Sequence, residues 1–396
     1  MSNTWKIFML AAVSFLVGTS EFIIGGILDI ISKDVNVSIA AAGQLITVYS
    51  LSYAFITPIL VVLTARIERR KVMIFSLGAF VIGNVIAVAA SGFIPLMVSR
   101  IILASSTGLF VVVSLTVATS LAKPGKQASA IATLVMGFSF ALIIGLPLGR
   151  VIAASFDWNL IFVGLGALGV LAMIIIHLAI PRTGGEEPVP LKRQLSLLSD
   201  RKIVVALSIS FFWIFGYSMA YTYISPFLLT ITGMNEREVS IALFAFGLAS
   251  LIGSKLGGYG TDKWGVSRTL VGGMILHTLA LVLLSLGAHS TVIVFPVLLL
   301  WAFSTWSTGP TQQYNLMKLS PNASGIVLSL NSSVIHLAFA SGAGIGGIVV
   351  ERISLASVSW LGASGVFVAT VIAATTMGMA KSRSRNRATV PGLPNK

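Results

Sequence analysis

The chain has 396 residues, of which 56% are hydrophobic and only 10% charged. Soluble domains carry about 25% charged residues, so this chain cannot cover its surface with polar groups and lipid is its natural solvent. The formal net charge is +14 and there is no cysteine, which excludes a disulfide framework and thiolate metal sites.

A membrane span needs about 20 apolar residues. Breaks at charged and turn-rich points predict spans at 5–31, 39–64, 72–91, 95–121, 127–154 and 159–180. A second set follows at 203–230, 239–260, 269–288, 291–317, 322–350 and 355–380. The first run is too long for a secretory signal and contains Glu21, so it reads as a span. The polar stretch 181–202 divides the spans six and six, with a surface helix expected over 191–198. The expected organisation is a six-helix bundle at 1–180, a linker at 181–202, a second bundle at 203–381 and a basic tail at 382–396.

The basic residues orient the bundle. With the N-terminus in the cytoplasm, 20 of the 26 fall on inner segments. Only Lys33, Arg237 and Arg352 fall outside, while Arg100, Arg150 and Lys255 lie within spans. So lopsided a split obeys the positive-inside rule and places both termini in the cytoplasm. The run from Lys381 to Arg387 is then a topology determinant touching anionic headgroups, not a nucleic-acid site.

Glu21 is the anomaly of the first span, because a charge at the bilayer centre costs about 2.5–3.5 kcal/mol. One reading keeps it neutral, hydrogen-bonded to a neighbouring helix; the other makes it a proton carrier. Depth favours the second. Glu21 lies roughly 24 Å from the inner surface, and Arg100 lies roughly 8 Å from the outer one at 1.5 Å per residue. In a core about 30 Å thick the two depths nearly coincide, so acid and base can pair. Ser14, Gly18 and Gly25 leave Glu21's face small. Asp29 reads as too near the outer end to matter. Arg150 reads as snorkelling outward and Lys255 as snorkelling at the inner end.

Corresponding features recur in the two halves. LTARIERRKV (63–72) follows the second span and GGYGTDKWGVSR (257–268) the eighth; GLPLGR (145–150) has a counterpart in GAGIGG (342–347). Such duplication is a common design for alternating access around a midplane site. These residues resemble the major facilitator superfamily, whose cytoplasmic loop motif reads G-x-L-x-D-R-x-G-R-R. Gly258, Asp262, Lys263, Gly265 and Arg268 match it. The first copy keeps Arg69 and Arg70 but places Glu68 at the aspartate and Lys71 at a glycine. SRIILASSTG (99–108) is similar to the fourth-helix motif, with Arg100 as its arginine, and GLPLG to the fifth-helix motif of proton-driven antiporters. Gly145, Pro147 and Gly149 belong to that motif and imply close helix packing. AGQLITVYSLSYA (42–54), MGFSFALIIGLPLG (136–149) and STWSTGPTQQY (304–314) are similar to bacterial purine base and nucleoside efflux pumps of the drug:proton antiporter branch.

The resemblance implies a monomeric, multi-pass transporter of the bacterial cytoplasmic membrane. It would export a small molecule against protons, without a cofactor, with multidrug or sugar export as the alternative within the branch. Four stripes could wall its cavity: Tyr49, Tyr53 and Thr57; Trp213, Tyr217 and Tyr221; Trp306 with Gln312 or Gln313; and Asn331, Ser332 and His336. Aromatics would stack on a planar heterocycle while amides and imidazole read its edges. Plain packing is the competing explanation for each stripe. His177 and His289 read as bland, and nothing near His277 in sequence gives it a role. GAGIGG satisfies a dinucleotide pattern by letter but lacks the strand before it and the acid about 20 residues on. No P-loop, metal-ligand spacing or nucleophile–base pair is visible, so an enzyme is not expected. A non-transporting membrane sensor is the remaining alternative.

Overall fold

The structure is a computed structural model that describes residues 2–123, 126–182, 184 and 191–388. The end of the basic tail (389–396) and most of the linker's proline- and glutamate-rich start (183 and 185–190) lie outside the described residues. Among the described residues, twelve helices are long and apolar enough to cross a membrane. They are α1 (Asn3–Asp34), α2 (Ile39–Thr64), α3 (Arg69–Val88), α4 (Phe93–Leu121), α5 (Ala130–Ser155) and α6 (Asn159–Ala179). The second set is α7 (Arg201–Tyr221), α8 (Glu236–Trp264), α9 (Val266–Leu286), α10 (Thr291–Leu319), α11 (Gly325–Arg352) and α12 (Ser357–Met377). The surface helix expected over 191–198 is present as Leu191–Ser196 and a 3-10 turn, Leu197–Ser199.

The starts of these helices follow local chemistry. Ser38 caps α2 by accepting from the Ala41 amide, and Asn235 with Glu238 forms a reciprocal capping box at the start of α8. Gly265 ends α8 at a φ of 82°, a left-handed turn that glycine adopts without strain, before α9 begins at Val266.

Three spans among the described residues are irregular, α5 midway along its length and α1 and α7 toward their later ends. α1 breaks at Ile27, between Asn3–Gly26 and Leu28–Asp34. α5 carries a π-helical turn at Ala141–Gly145, and Pro147 follows at the start of the resumed helix. Proline cannot donate to the carbonyl four residues back, and a widened turn is one way to absorb that. α7 ends at Tyr221; a short turn, Ile224–Pro226, and a π-turn, Phe227–Ile231, complete the crossing. Such breaks release backbone carbonyls, which buried side chains must then satisfy.

Two main cores form. One gathers residues of α1 to α6, such as Leu10, Leu77, Phe110 and Phe162. The other gathers residues of α7 to α12, such as Trp301, Leu281 and Val366. Few residues cross the seam: Phe22, Ala141, Leu142 and Leu146 join the second core, while Met219, Tyr223, Val349 and Val358 join the first. Along the seam α2 packs on α11, and the later half of α5 packs on α8. Glycines allow the tightest approaches: Gly257 of α8 lies against the Ser307 carbonyl of α10, where a Cβ would clash. We call the end of the bundle holding the start of α1 the near end and its opposite the far end.

Candidate functional site

The polar centre is assembled from α1, α2 and α4. Arg100 is 1% exposed. Its guanidinium donates to the Ser20 carbonyl at 2.9 Å and the Glu21 carbonyl at 3.4 Å. It also lies over the Tyr49 ring, 4.3 Å from the centroid. The Tyr49 hydroxyl donates to Glu21 Oε2 at 3.4 Å. Acid and base therefore meet at residue 21, but not as the direct ion pair expected from their depths. Arg100 reaches the main chain, and Tyr49 stands between guanidinium and carboxylate. This leaves the Glu21 carboxylate lining a narrow pocket with Gly25, Ile46, Tyr49, Ser50, Tyr221 and Phe339. That pocket sits on the seam, because α1 and α2 supply one wall and α7 and α11 the other.

The aromatic residues converge on the same level. Tyr53 of α2 stacks on His336 of α11 with ring centroids 3.6 Å apart, bridging the two halves. Tyr217 stacks on Tyr221 at 5.0 Å and contacts Trp301 and Phe339. Behind them His277, fully buried, accepts from Trp301 Nε1 at 2.8 Å, and its Nδ1 lies 3.3 Å from Thr305 Oγ1. His277 is thus a satisfied node tying α9 to α10, a role its sequence neighbours did not reveal. Among the described residues, the Tyr221 hydroxyl, the Trp213 indole nitrogen and Asn331 Oδ1 are buried without a hydrogen-bond partner; Tyr217 and Trp306 lie within hydrogen-bonding reach of each other.

Other candidates are placed elsewhere. Gln312 is buried and donates to the Ala206 carbonyl at 2.6 Å and Ser210 Oγ at 3.0 Å, tying α10 to α7. Gln313, one residue on, is exposed. Thr57 is buried against Gly108 of α4. Gly145 and Gly149 pack on Thr19 and Ile23 of α1, and Pro147 lines a cleft between α5 and α8.

The two loop motifs differ. Glu68 pairs with Arg70 at 3.4 Å and Lys71 at 3.8 Å. Arg70 Nη1 also donates to the His177 carbonyl at 3.2 Å, pinning the α2–α3 turn to the end of α6; Arg69 is buried. In the second copy Asp262, Lys263, Gly265 and Arg268 are exposed and Gly258 half-buried. Lys263 lies over the Tyr259 ring at 5.5 Å.

A charged cluster at the far end departs most from expectation. Arg150 does not snorkel: it is fully buried. It donates to Asp29 Oδ1, to Asp29 Oδ2 at 3.0 Å, to the Gly26 carbonyl at 2.8 Å and to Glu236 Oε2. Asp29, read as too close to the end to matter, is its buried partner. The break at Ile27 frees the Gly26 carbonyl for this contact, and Ser225 Oγ of the other half donates to the same oxygen at 3.2 Å. The signal available in sequence was an arginine inside an apolar span with two acids at matching depth on other spans.

Twelve spans around a polar pocket on a two-fold-like seam define a membrane transporter. The chain belongs to the major facilitator superfamily, whose family model matches residues 10–343. It is 55% identical over 371 residues to the uncharacterized MFS-type transporter YbcL of Bacillus subtilis (strain 168), covering 94% of this chain and 95% of that one. It is 31% identical over 351 residues to the inner membrane transport protein YdhP of Escherichia coli (strain K12), covering 89% and 90%. A probable sugar efflux transporter of Helicobacter acinonychis (strain Sheeba) is 28% identical over 362 residues, covering 90% and 91%. Among solved structures, a bacterial homolog of the human lysosomal transporter Spinster matches with a TM-score of 0.73 at 18% identity, covering 96% and 97%. That likeness supports the fold.

Proposed function

We propose that the protein is a proton-driven antiporter of the bacterial cytoplasmic membrane that exports a small planar heterocycle, such as a purine base or nucleoside. It works as a monomer, with the proton gradient in place of a cofactor and no chemistry done on the substrate. The observation that carries this reading is the Glu21 carboxylate, which lines a pocket between the two halves with only Tyr49 as a side-chain partner. The basic residues place the near end in the cytoplasm. The hydrogen bonds and ion pair that cross the seam among the described residues all lie at the far end, so the far end is the closed side. The halves 1–180 and 203–381 then rock about the pocket.

Glu21 takes a proton when the pocket faces outward and gives it up when the pocket faces inward. Arg100, fixed to the carbonyls of residues 20 and 21, offers positive charge beside the carboxylate and favours release. The aromatic pairs supply stacking faces, and the unpartnered indole, phenol and amide atoms supply an edge for ring nitrogens and carbonyls. A sugar is the second reading, favoured by the named activity of the Helicobacter relative; multidrug export is a weaker variant of it.

The test uses purified protein in vesicles with an imposed pH gradient. Wild type should accumulate hypoxanthine, adenine or guanosine against the substrate gradient. Glu21→Gln should retain substrate exchange but lose gradient-driven accumulation by more than tenfold. Wild-type accumulation by Glu21→Gln removes the proton role. Uptake of a sugar or a cationic dye in place of every purine removes the substrate assignment.

A further inference from the structure

The geometry points to Arg150 as a latch that holds the far end shut, with Glu236 as the contact that releases. Arg150 of α5 is the only side chain among the described residues that forms ion pairs to both halves at once. Its partners are unequal. Three oxygens of its own half, both of Asp29 and the Gly26 carbonyl, hold the guanidinium in place. One oxygen of the other half, Glu236 Oε2, completes the cluster.

Burial sets which contact gives way. The Asp29 side chain is 6% exposed and that of Glu236 is 50% exposed. A cleft between α5 and α8, walled by Pro147, Val151 and Phe244, reaches Glu236. Parting Arg150 from Asp29 would strand a buried carboxylate, which is the costlier break. Parting Arg150 from Glu236 leaves the guanidinium bidentate on Asp29 and hands Glu236 to water. Opening at the far end therefore runs between Arg150 and Glu236. Asp29 is a positioning residue that keeps Arg150 aimed across the seam. Ser225, which donates to the Gly25 and Gly26 carbonyls at 3.0 and 3.2 Å, closes the same gap at the Gly26 oxygen that Arg150 also holds.

The inference rests on the alternating-access reading above. The cysteine-free chain makes it testable by site-directed labelling of the full-length protein in vesicles. An Ile46→Cys reporter lines the pocket, and a Lys33→Cys reporter is exposed at the far end. A membrane-impermeant maleimide is applied from each side. The position-46 comparison is made from whichever side labels position 33, so a reversed orientation fails the reading above without touching the latch. Glu236→Gln should raise labelling at position 46 about tenfold while position 33 is unchanged, and Glu236→Asp should return it toward the parent rate. Asp29→Asn should lower thermal stability and raise labelling less than Glu236→Gln. An unchanged position-46 rate in monodisperse Glu236→Gln protein overturns the latch. Labelling that rises with Asp29→Asn but not Glu236→Gln overturns the assignment of the releasing contact.

Discussion

Tyr49 makes two contacts with different physics, and they can be separated. Its hydroxyl donates to the Glu21 carboxylate at 3.4 Å, and its ring lies 4.3 Å beneath the Arg100 guanidinium. The hydrogen bond is long, so its loss sits at the low end of the 1.5–3 kcal/mol typical of bonds to charged groups, about a tenfold effect. The cation–π contact is desolvated, and such contacts reach about 2 kcal/mol. Tyr49→Phe should therefore slow gradient-driven transport by up to about tenfold, and Tyr49→Ala should nearly abolish it, as measured by initial rates in vesicles. Equal rates for the two variants would mean that the ring does nothing beyond carrying the hydroxyl. Glu21 and Arg100 were legible in sequence, because a charge in an apolar run is conspicuous and depth follows from counting. Tyr49's place between them was not. It depends on how α2 is rotated against α1 and α4, which spacing on a single helix does not fix.

Elements show the same divide. Span length follows from hydrocarbon thickness, so all twelve spans could be read from composition. The breaks at Ile27 and beyond Tyr221 could not, because they are stabilised by tertiary acceptors and donors such as Arg150 and Ser225. Arg150 and Asp29 looked peripheral only while each was considered on its own helix. Gln312 repeats the lesson. As an amide near a cavity it suggested ligand recognition, yet both hydrogen bonds that it donates tie α10 to α7, and its oxygen accepts from Asn315 one turn on in α10. Interhelical hydrogen bonds in membranes are worth roughly 0.6–2 kcal/mol. Gln312→Leu should therefore lower the unfolding temperature in detergent and leave substrate affinity within about twofold. Gln313→Leu, on the exposed face, should change neither.

At the scale of the whole molecule, the proposed alternating access makes the seam the moving part. At the far end the halves interlock through glycines that admit side chains of the other half: Gly43 sits against the Tyr223 ring and hydroxyl, and Gly344 against the Gln44 and Thr47 side chains. A Cβ at Gly344 would lie 3.5 Å from both Thr47 Oγ1 and Thr47 Cγ2, across the α2–α11 contact. The γ position of residue 47 is thus in van der Waals contact with the β position of residue 344, with the Thr47 Cβ one bond further back; disulfides span Cβ separations of about 3.5–4.5 Å, so Thr47→Cys with Gly344→Cys should cross-link on mild oxidation. Alternating access requires these two positions to separate once in every cycle. The oxidised double variant should lose net transport, recover it on reduction, and still bind substrate offered from the near side. The single variants, which cannot cross-link within one chain, should be insensitive to oxidant. Full transport by the oxidised double variant, with cross-linking verified by mass spectrometry, would mean that the far-end seam stays closed throughout the cycle. Substrate would then have to cross by a path that leaves α2 and α11 in contact, and the Arg150 cluster would be a static brace.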